Sequence, residues 1–330
     1  MLQLKWMRWH TFKMVIEKNK TALLLVNLGS PEKPSALSVA KFLHQFLSDK
    51  KVIHNNKILW RIILLFIIIP FRSFSVAKKY RQIWGKKSSV LTFFGKSCAK
   101  ILNQDYNIPS FYSATYGKPS ILHSIQDIIK NKNIKKIITL PMFPQYSTTT
   151  NEAVFDKIQK AMTKIDQPPT IKKIKDYHDH PLYIAAIRED INEYLKKNKN
   201  CQHLLLSYHS VPVSYNEKIY LSQIKTSTKL ICQDLKIPYT CVFQSRFGRS
   251  QWIGPQINEY IIKLSEQGIK KIAIITPGFA TDCLETLEEI KIQAKREFLK
   301  NGGIKCDYIA ALNDSKNQLK LFKNIYETNS

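Results

Sequence analysis

The chain contains two sets of short apolar runs, which occur in the same order in each half and end in turn residues. In the first half "TALLLVNLGSP" (21–31) and "IKKIITLPMFPQYS" (134–147) correspond to "HLLLSYHSVP" (203–212) and "IKKIAIITPGFATD" (269–282) in the second. Helical patterns lie between the runs. Buried strands that alternate with helices are typical of βαβ units and a parallel sheet. The repeat therefore predicts an α/β protein made of two similar halves.

The two halves are predicted to join near residues 172–182. This division gives an N-terminal half over residues 21–178 and a C-terminal half over residues 179–330. Residues 1–20 are predicted to be a basic N-terminal extension, because Lys or Arg recurs every few residues there. That extension has no apolar core of the kind found in secretory signals, so we expect a cytoplasmic protein.

The chain is strongly basic, with 51 Lys and Arg against 25 Asp and Glu and a formal net charge of +26. Such a charge indicates either attraction to an anionic partner, such as nucleic acid, acidic lipid or a small ligand, or a lysine-rich composition without function. Only 10 glycines occur in 330 residues, which argues against glycine-rich nucleotide-binding loops. The six cysteines form no CxxC pair, so we expect a reduced chain with no zinc site and no iron–sulfur cluster.

The stretch "ILWRIILLFIIIPF" (58–71) contains an unbroken apolar run from Ile62 to Ile69. Arg61 and Arg72 flank the run, and Pro70 closes it. The run is far shorter than the roughly 20 residues that a helix needs to span a bilayer. It predicts either a buried helix or a partly exposed apolar lip that contacts lipid or an apolar ligand.

Ionisable side chains follow two strands of the second half. Ligands of open α/β sheets bind beyond the carboxyl ends of the strands. Where the first half has Leu28, the second has His209, and where the first has hydroxyl groups the second has a carboxylate cluster. The cluster comprises Asp282, Glu285, Glu288 and Glu289. The sequence therefore predicts that the chemistry lies in the second half.

This pattern has a structural and a functional interpretation. In the first, His209 is a hydrogen-bonded strand-end residue, and Asp282 with Glu285 forms a capping box that starts a helix. In the second, imidazole and carboxylates form a metal or proton site, since these groups suit divalent iron and can accept protons near pH 7. The capping box accounts for at most Asp282 and Glu285. It leaves Glu288 and Glu289 unexplained, and α-helical spacing would place these two on the same acidic face, one turn further along the helix.

Five stretches, taken in order, resemble the ferrochelatase family: "LLLVNLGSPEKPS", "LPMFPQYSTTTNEAVFD", "LLLSYHSVPVSY", "FQSRFGRSQWIGPQ" and "PGFATDCLETLEEI". The likeness runs from about Leu23 to about Asn313. It implies two similar Rossmann-like domains with parallel sheets, no nucleotide, and a porphyrin cleft between the domains. The implied reaction is insertion of Fe(II) into protoporphyrin IX with release of two protons, the last step of haem biosynthesis. Fe(II) is then a substrate, and no organic cofactor is expected.

The resemblance also implies roles for particular residues. The family's active-site histidine falls at His209 and its metal-site glutamate at Glu285, while Asp282 and Glu289 fall in its acidic track, to which the helical spacing adds Glu288. The implied porphyrin-binding residues are Leu28, Tyr80, Tyr146, Ser245, Trp252 and Phe279, with Arg72 and Ser89 at the propionates. Residues 58–71 fall in the cleft lip, which implies peripheral contact with an anionic membrane. One departure is that the family's "MRYG" reads "ATYG" at residues 114–117, so its arginine is absent.

Several alternatives remain open at this stage. A chelatase acting on coproporphyrin III or another tetrapyrrole would need different charges at the cleft rim, because those substrates carry more carboxylates. A non-catalytic haem-binding protein would bind metallated porphyrin and insert no iron. A nucleic-acid-binding protein would explain the net charge but not the acidic stretch, so nucleic acid is not an expected partner. Whether His209 binds the metal or accepts pyrrole protons is also open.

Overall fold

Two four-stranded parallel sheets organise the computed structural model, which describes residues 20–53, 57–248 and 250–330. The predicted basic extension lies outside the described residues, except for Lys20. The strands are β1 Thr21–Asn27, β2 Ser110–Ala114, β3 Lys136–Pro141, β4 Thr170–Lys173, β5 His203–His209, β6 Tyr239–Gln244, β7 Lys271–Ile275 and β8 Lys305–Ile309. Their orders, β2-β1-β3-β4 and β6-β5-β7-β8, are equivalent. The predicted α/β fold with two similar halves is confirmed.

Helices connect the strands and cover the sheets. The α-helices are α1 Ala36–Leu47, α2 Lys57–Ile63, α3 Ile69–Ile83, α4 Val90–Tyr106, α5 Ile121–Ile129, α6 Ala153–Met162, α7 Pro181–Lys197, α8 Lys218–Cys232, α9 Ile257–Glu266, α10 Lys295–Lys300 and α11 Lys316–Asn329. Within residues 20–53, 57–248 and 250–330 there are also three π-helices, π1 Leu64–Ile68, π2 Thr148–Glu152 and π3 Glu285–Ala294. Such wide turns, with i to i+5 hydrogen bonds, are rare and are found frequently at functional sites.

The apolar runs of the sequence form the centre of both sheets. Leu25 in β1 and Leu206 in β5 are fully buried and belong to one continuous apolar cluster. The last helix, α11, also connects the halves, because the Tyr326 hydroxyl donates to the Thr21 carbonyl oxygen at 3.1 Å. A domain boundary at residues 178 and 179 therefore stays a prediction, although the two sheets lie on either side of it in the sequence.

The apolar stretch 58–71 is part of a longer helix. Segments α2, π1 and α3 follow one another without a break, and we call them together the lip helix. Its outer face is apolar and exposed, with Phe66 75% and Phe71 76% exposed, whereas Leu64 and Ala77 are buried against the protein. The sequence left open a buried helix or a partly exposed apolar lip, and the structure shows the partly exposed lip. From Ile58 to Ile83 the helix is long and apolar enough, by length and composition alone, to cross a bilayer.

The segment after β7 differs from the predicted α-helix. It is π-helical from Glu285 to Ala294 and becomes α-helical only in α10. The Thr286 hydroxyl donates to Asp282 Oδ1 at 2.9 Å and accepts the Cys283 N–H at 3.0 Å, so this side chain satisfies a backbone donor just before the helix. The predicted α-helical geometry of this segment was therefore wrong, although Glu285 and Glu288 still lie close enough for their charges to act on Glu289.

Candidate active site

His209 is the last residue of β5, and its ring is held in one orientation. Its Nδ1 lies 2.6 Å from the Ser210 carbonyl oxygen, and its own carbonyl oxygen accepts the Tyr220 hydroxyl at 3.0 Å. A carbonyl oxygen can only accept, so Nδ1 carries a proton. In the neutral form of the ring the lone pair is then on Nε2, where it is available to a metal ion or to a proton.

Glu285 is the first residue of π3, and a buried glutamine ties it to the end of the central strand. The Gln244 amide donates to the Glu285 carbonyl oxygen at 2.9 Å and accepts the Ser207 hydroxyl at 2.7 Å. Gln244 is also the strand partner of His209 in the register of β5 and β6. His209 and Glu285 are thereby brought to the same edge of one sheet. The sequence analysis predicted no role for Gln244. Its position at the end of β6, the strand next to the one that carries "LLLSYHS", could have indicated a role at the site.

Glu289 lies one turn further along π3 and titrates near neutral pH. The Ser245 hydroxyl donates to Glu289 Oε2 at 2.6 Å. Burial, followed by the charge of Glu285, raises the pKa of Glu289 to about 7, against the opposing effects of the Ser245 hydrogen bond and of Lys79. Ser245 has a φ of +68°, in the left-handed region that is uncommon for residues other than glycine. The backbone is therefore strained at the residue whose hydroxyl binds Glu289. Glu289 can therefore exchange a proton beside Glu285.

The lip helix supplies the opposite wall of this site. Burial raises the pKa of the Tyr80 hydroxyl well above its ordinary value, and the charge of Glu285 raises it further. Burial lowers the pKa of the Arg72 guanidinium, and the charge of Glu289 partly offsets this. The Arg72 guanidinium also lies 4.2 Å from the centre of the Phe247 ring. Two residues predicted for the porphyrin cleft thus face the acidic residues of π3.

A third residue of the lip helix makes an ion pair with π3. Lys79 Nζ lies 2.9 Å from Glu288 Oε2, and Gln293 donates to the other carboxylate oxygen at 2.5 Å. Glu288 is buried, with 5% of its side chain exposed. Sequence reasoning did not single out Lys79, although its spacing from Arg72 and Tyr80 puts all three on one side of a helix.

Asp282 is placed differently from the other acidic residues. It is buried, and its carboxylate accepts hydrogen bonds from Thr286 at 2.9 Å, Tyr308 at 2.7 Å and Asn313 at 2.8 Å. These bonds fasten the loop after β7 to π3 and to the loop after β8. Membership of Asp282 in an acidic proton track stays a prediction, and the three donors on its carboxylate disfavour it.

The predicted apolar wall is built from residues that follow several strands. Leu28, after β1, packs against the apolar cluster of the lip helix. Trp252 pairs with Pro212 in the loop after β5, and its buried indole N–H has no hydrogen-bond partner among the described residues. Phe279 is half-buried in the turn after β7. Tyr146, after β3, donates to Glu152 at 2.8 Å, and the Lys175 ammonium lies 4.9 Å from its ring centre.

Ser89 is the predicted site residue that the structure uses for another purpose. Its hydroxyl caps α4 by accepting the Thr92 N–H at 3.2 Å and lies 2.5 Å from the Ser30 hydroxyl. Only 4% of Ser89 is exposed. A propionate could reach this hydroxyl only after the cap had rearranged, so the predicted contact stays a prediction that this geometry disfavours.

Solved structures of low sequence identity share the fold of this chain. SirB from Bacillus subtilis, in a structure with Fe³⁺, matches with a TM-score of 0.57 at 12% identity over 94% of this chain and 96% of its own. CbiX, described as the terminal enzyme for biosynthesis of sirohaem in denitrifying bacteria, matches with a TM-score of 0.52 at 11% identity over 94% of this chain and all of its own. The TM-scores show a common fold, and at identities this low the match shows nothing beyond the fold.

Sequence comparison identifies the family within this class. The ferrochelatase family model matches residues 20–330. The ferrochelatase of Vibrio parahaemolyticus is 40% identical over 302 residues, 90% of this chain and 94% of the relative. That of Aeromonas hydrophila is 38% identical over 312 residues, 92% of this chain and 96% of the relative. The chain belongs to the ferrochelatase family, and the resemblance found in its sequence is confirmed.

Proposed function

We propose that this protein inserts Fe(II) into protoporphyrin IX to give protohaem, the last step of haem biosynthesis. Family membership and the curated relatives named ferrochelatase support this function. The observation that carries it is the placement of His209 and Glu285 at one sheet edge, tied together through Gln244. No organic cofactor enters the reaction, and Fe(II) is a substrate.

Metal insertion exchanges two pyrrole N–H protons for one dication, so the site must hold a cation and accept protons. His209 presents the lone pair of Nε2, because Nδ1 faces the Ser210 carbonyl oxygen. That lone pair serves as base for the pyrrole protons or as ligand for the metal. Glu285 is joined through its backbone carbonyl to Gln244 at the end of β6, and Glu289, with a pKa of about 7, is a proton acceptor beside it.

The porphyrin would lie against Leu28, Trp252 and Phe279, the apolar residues that the family resemblance assigns to its cleft. Burial of its apolar faces would contribute about 25 cal/mol per Å² to binding. Of the two residues predicted for the propionates, Arg72 is the better candidate, because a guanidinium suits a carboxylate and its edge can still donate while its face lies over the Phe247 ring.

The test of the reaction is anaerobic. Purified protein is mixed with ferrous iron and protoporphyrin IX, and loss of the free-base absorption spectrum is followed, with coproporphyrin III in a parallel reaction. The proposal predicts faster insertion into protoporphyrin IX. Faster insertion into coproporphyrin III would replace the substrate, and insertion into neither would leave the alternative of a haem-binding protein.

We also propose that the lip helix rests on the cytoplasmic face of a membrane. Its exposed apolar side chains, including Phe66 and Phe71, suit the interface of a bilayer, and the net charge of +26 favours anionic lipid. The test is co-sedimentation with vesicles that contain or lack phosphatidylglycerol. Phe66→Ser with Phe71→Ser should abolish binding, whereas Ile304→Ser, at an equally exposed apolar residue on another surface, should not. Equal binding by both variants would refute membrane contact through the lip.

A further inference from the structure

The lip helix places a cation on the outer part of the carboxylates of π3. We call Glu285, Glu288 and Glu289 the acidic row. Lys79 Nζ lies 2.9 Å from Glu288 Oε2, and its side chain is 31% exposed, whereas that of Glu288 is 5% exposed. The pair therefore joins a buried carboxylate to a lysine that can still reach solvent. Lys79 belongs to the first half of the chain and Glu288 to the second.

Both oxygens of Glu288 have a partner. Oε1 accepts the Gln293 amide at 2.5 Å, and the Lys79 ammonium lies 2.9 Å from Oε2, within reach of a charge-assisted hydrogen bond. The charge of this buried carboxylate is thus compensated by Lys79. Removing one partner of a buried ion pair leaves an uncompensated charge, so loss of the ammonium would leave Glu288 open to another cation.

Two cations of the lip helix act on the row. Lys79 pairs with Glu288 and also acts on Glu289 through its charge, as does Arg72. A dication that enters from the outer end must therefore compete with the Lys79 ammonium before it meets Glu285 at the sheet edge.

We propose that Lys79 is an internal counter-cation that occupies the outer end of the acidic row and prevents divalent cations from being held there tightly. Metal is then passed on toward Glu285 and His209 and does not stop at Glu288. The delivery role rests on the proposed function, but the competition between ammonium and dication does not. Lys79 is a positioning residue in this account, because it acts on metal through Glu288.

The size of the competition follows from electrostatics. At about 5 Å, repulsion between a unit charge and a dication corresponds to about a tenfold change in affinity even with the dielectric constant of water. A lower effective dielectric constant around the buried Glu288 would make the change larger. Loss of the Lys79 charge should therefore tighten binding of a dication to the porphyrin-free protein at least tenfold.

The experiment uses Mn²⁺, a dication suited to carboxylate ligands. Binding to the porphyrin-free full-length protein is measured from the electron paramagnetic resonance signal of free Mn²⁺. Lys79→Met should bind Mn²⁺ about tenfold more tightly than the wild type, and Lys79→Arg, which keeps the charge, should restore wild-type affinity. Lys78→Met is the matched control, because Lys78 is the exposed neighbour on the same helix and its loss changes the net charge equally.

A second variant connects the effect to Glu288. Lys79→Met combined with Glu288→Gln should lose the gain in affinity, since the uncompensated carboxylate is gone. Lys79→Gln replaces Lys79→Met if the latter does not fold. The inference is overturned if Lys79→Met binds Mn²⁺ like the wild type, if Lys78→Met tightens binding equally, or if Glu288→Gln leaves the gain unchanged. The measurement contains neither porphyrin nor iron, so a failure of iron insertion would not affect its outcome.

Discussion

Replacement of Glu289 by glutamine should make the stability of the protein less dependent on pH. Burial and the charge of Glu285 raise the pKa of Glu289 from 4.5 to about 7, so the folded state binds this proton more tightly than the unfolded state does. The corresponding stability is fully present below pH 4.5 and is lost as the pH rises through 7. A difference of about 2.5 between these pKa values corresponds to about 3 kcal/mol, which is an upper value because Glu289 keeps some contact with solvent.

The assay is urea unfolding at pH 5 and pH 8. At pH 8, Glu289→Gln should be more stable than the wild type by about 2 to 3 kcal/mol, because a neutral amide avoids the buried charge and can still accept the Ser245 hydrogen bond. At pH 5 most of that advantage should be absent. Glu266→Gln is the control, since Glu266 is exposed and its substitution should change stability little at either pH.

The result that would refute this reasoning is a stability difference between Glu289→Gln and the wild type that is the same at pH 5 and pH 8. In that case the carboxyl would titrate equally in the folded and unfolded states, and the acidic row would not favour a protonated group. Glu289 would then lose its place as a proton acceptor in the proposed reaction.

Two further substitutions test the surroundings of the site. Gln244→Leu should destabilise the protein by about 1–3 kcal/mol in urea unfolding, because the Ser207 hydroxyl and the Glu285 carbonyl oxygen lose their partner, and should lower the rate of iron insertion; unchanged insertion would show that Gln244 does not position Glu285. Ser89→Ala should cost about 1 kcal/mol through loss of the helix cap and leave KM for porphyrin unchanged. A large rise in that KM would instead support the predicted propionate contact.

The fold could be predicted from sequence because its strands are continuous apolar runs. Runs such as residues 21–31 and 203–212 are buried on both faces of a parallel sheet. The apolar composition of these runs and their recurrence in the two halves therefore predict the same fold. His209 and Glu285 could be placed at one edge by the same argument, since both follow neighbouring strands. The general rule that ligands bind beyond strand ends was sufficient for these two.

What could not be predicted depends on contacts between elements distant in sequence. The Lys79 pair joins residues more than 200 positions apart, and nothing in the local pattern marks it. The sequence from Glu285 to Ala294 carries no pattern that distinguishes a π-helix from an α-helix. Asp282 and Ser89 have the chemistry of ligand-binding residues, but partners from other loops occupy their oxygens.

The central claim is that the imidazole of His209 takes part directly in metal insertion. Its most direct test is the anaerobic turnover of His209→Ala beside porphyrin affinity, measured by fluorescence, with His123→Ala as an exposed-histidine control. The account predicts a loss of about 10² to 10⁴ in turnover with porphyrin affinity retained. Wild-type turnover in His209→Ala would contradict it.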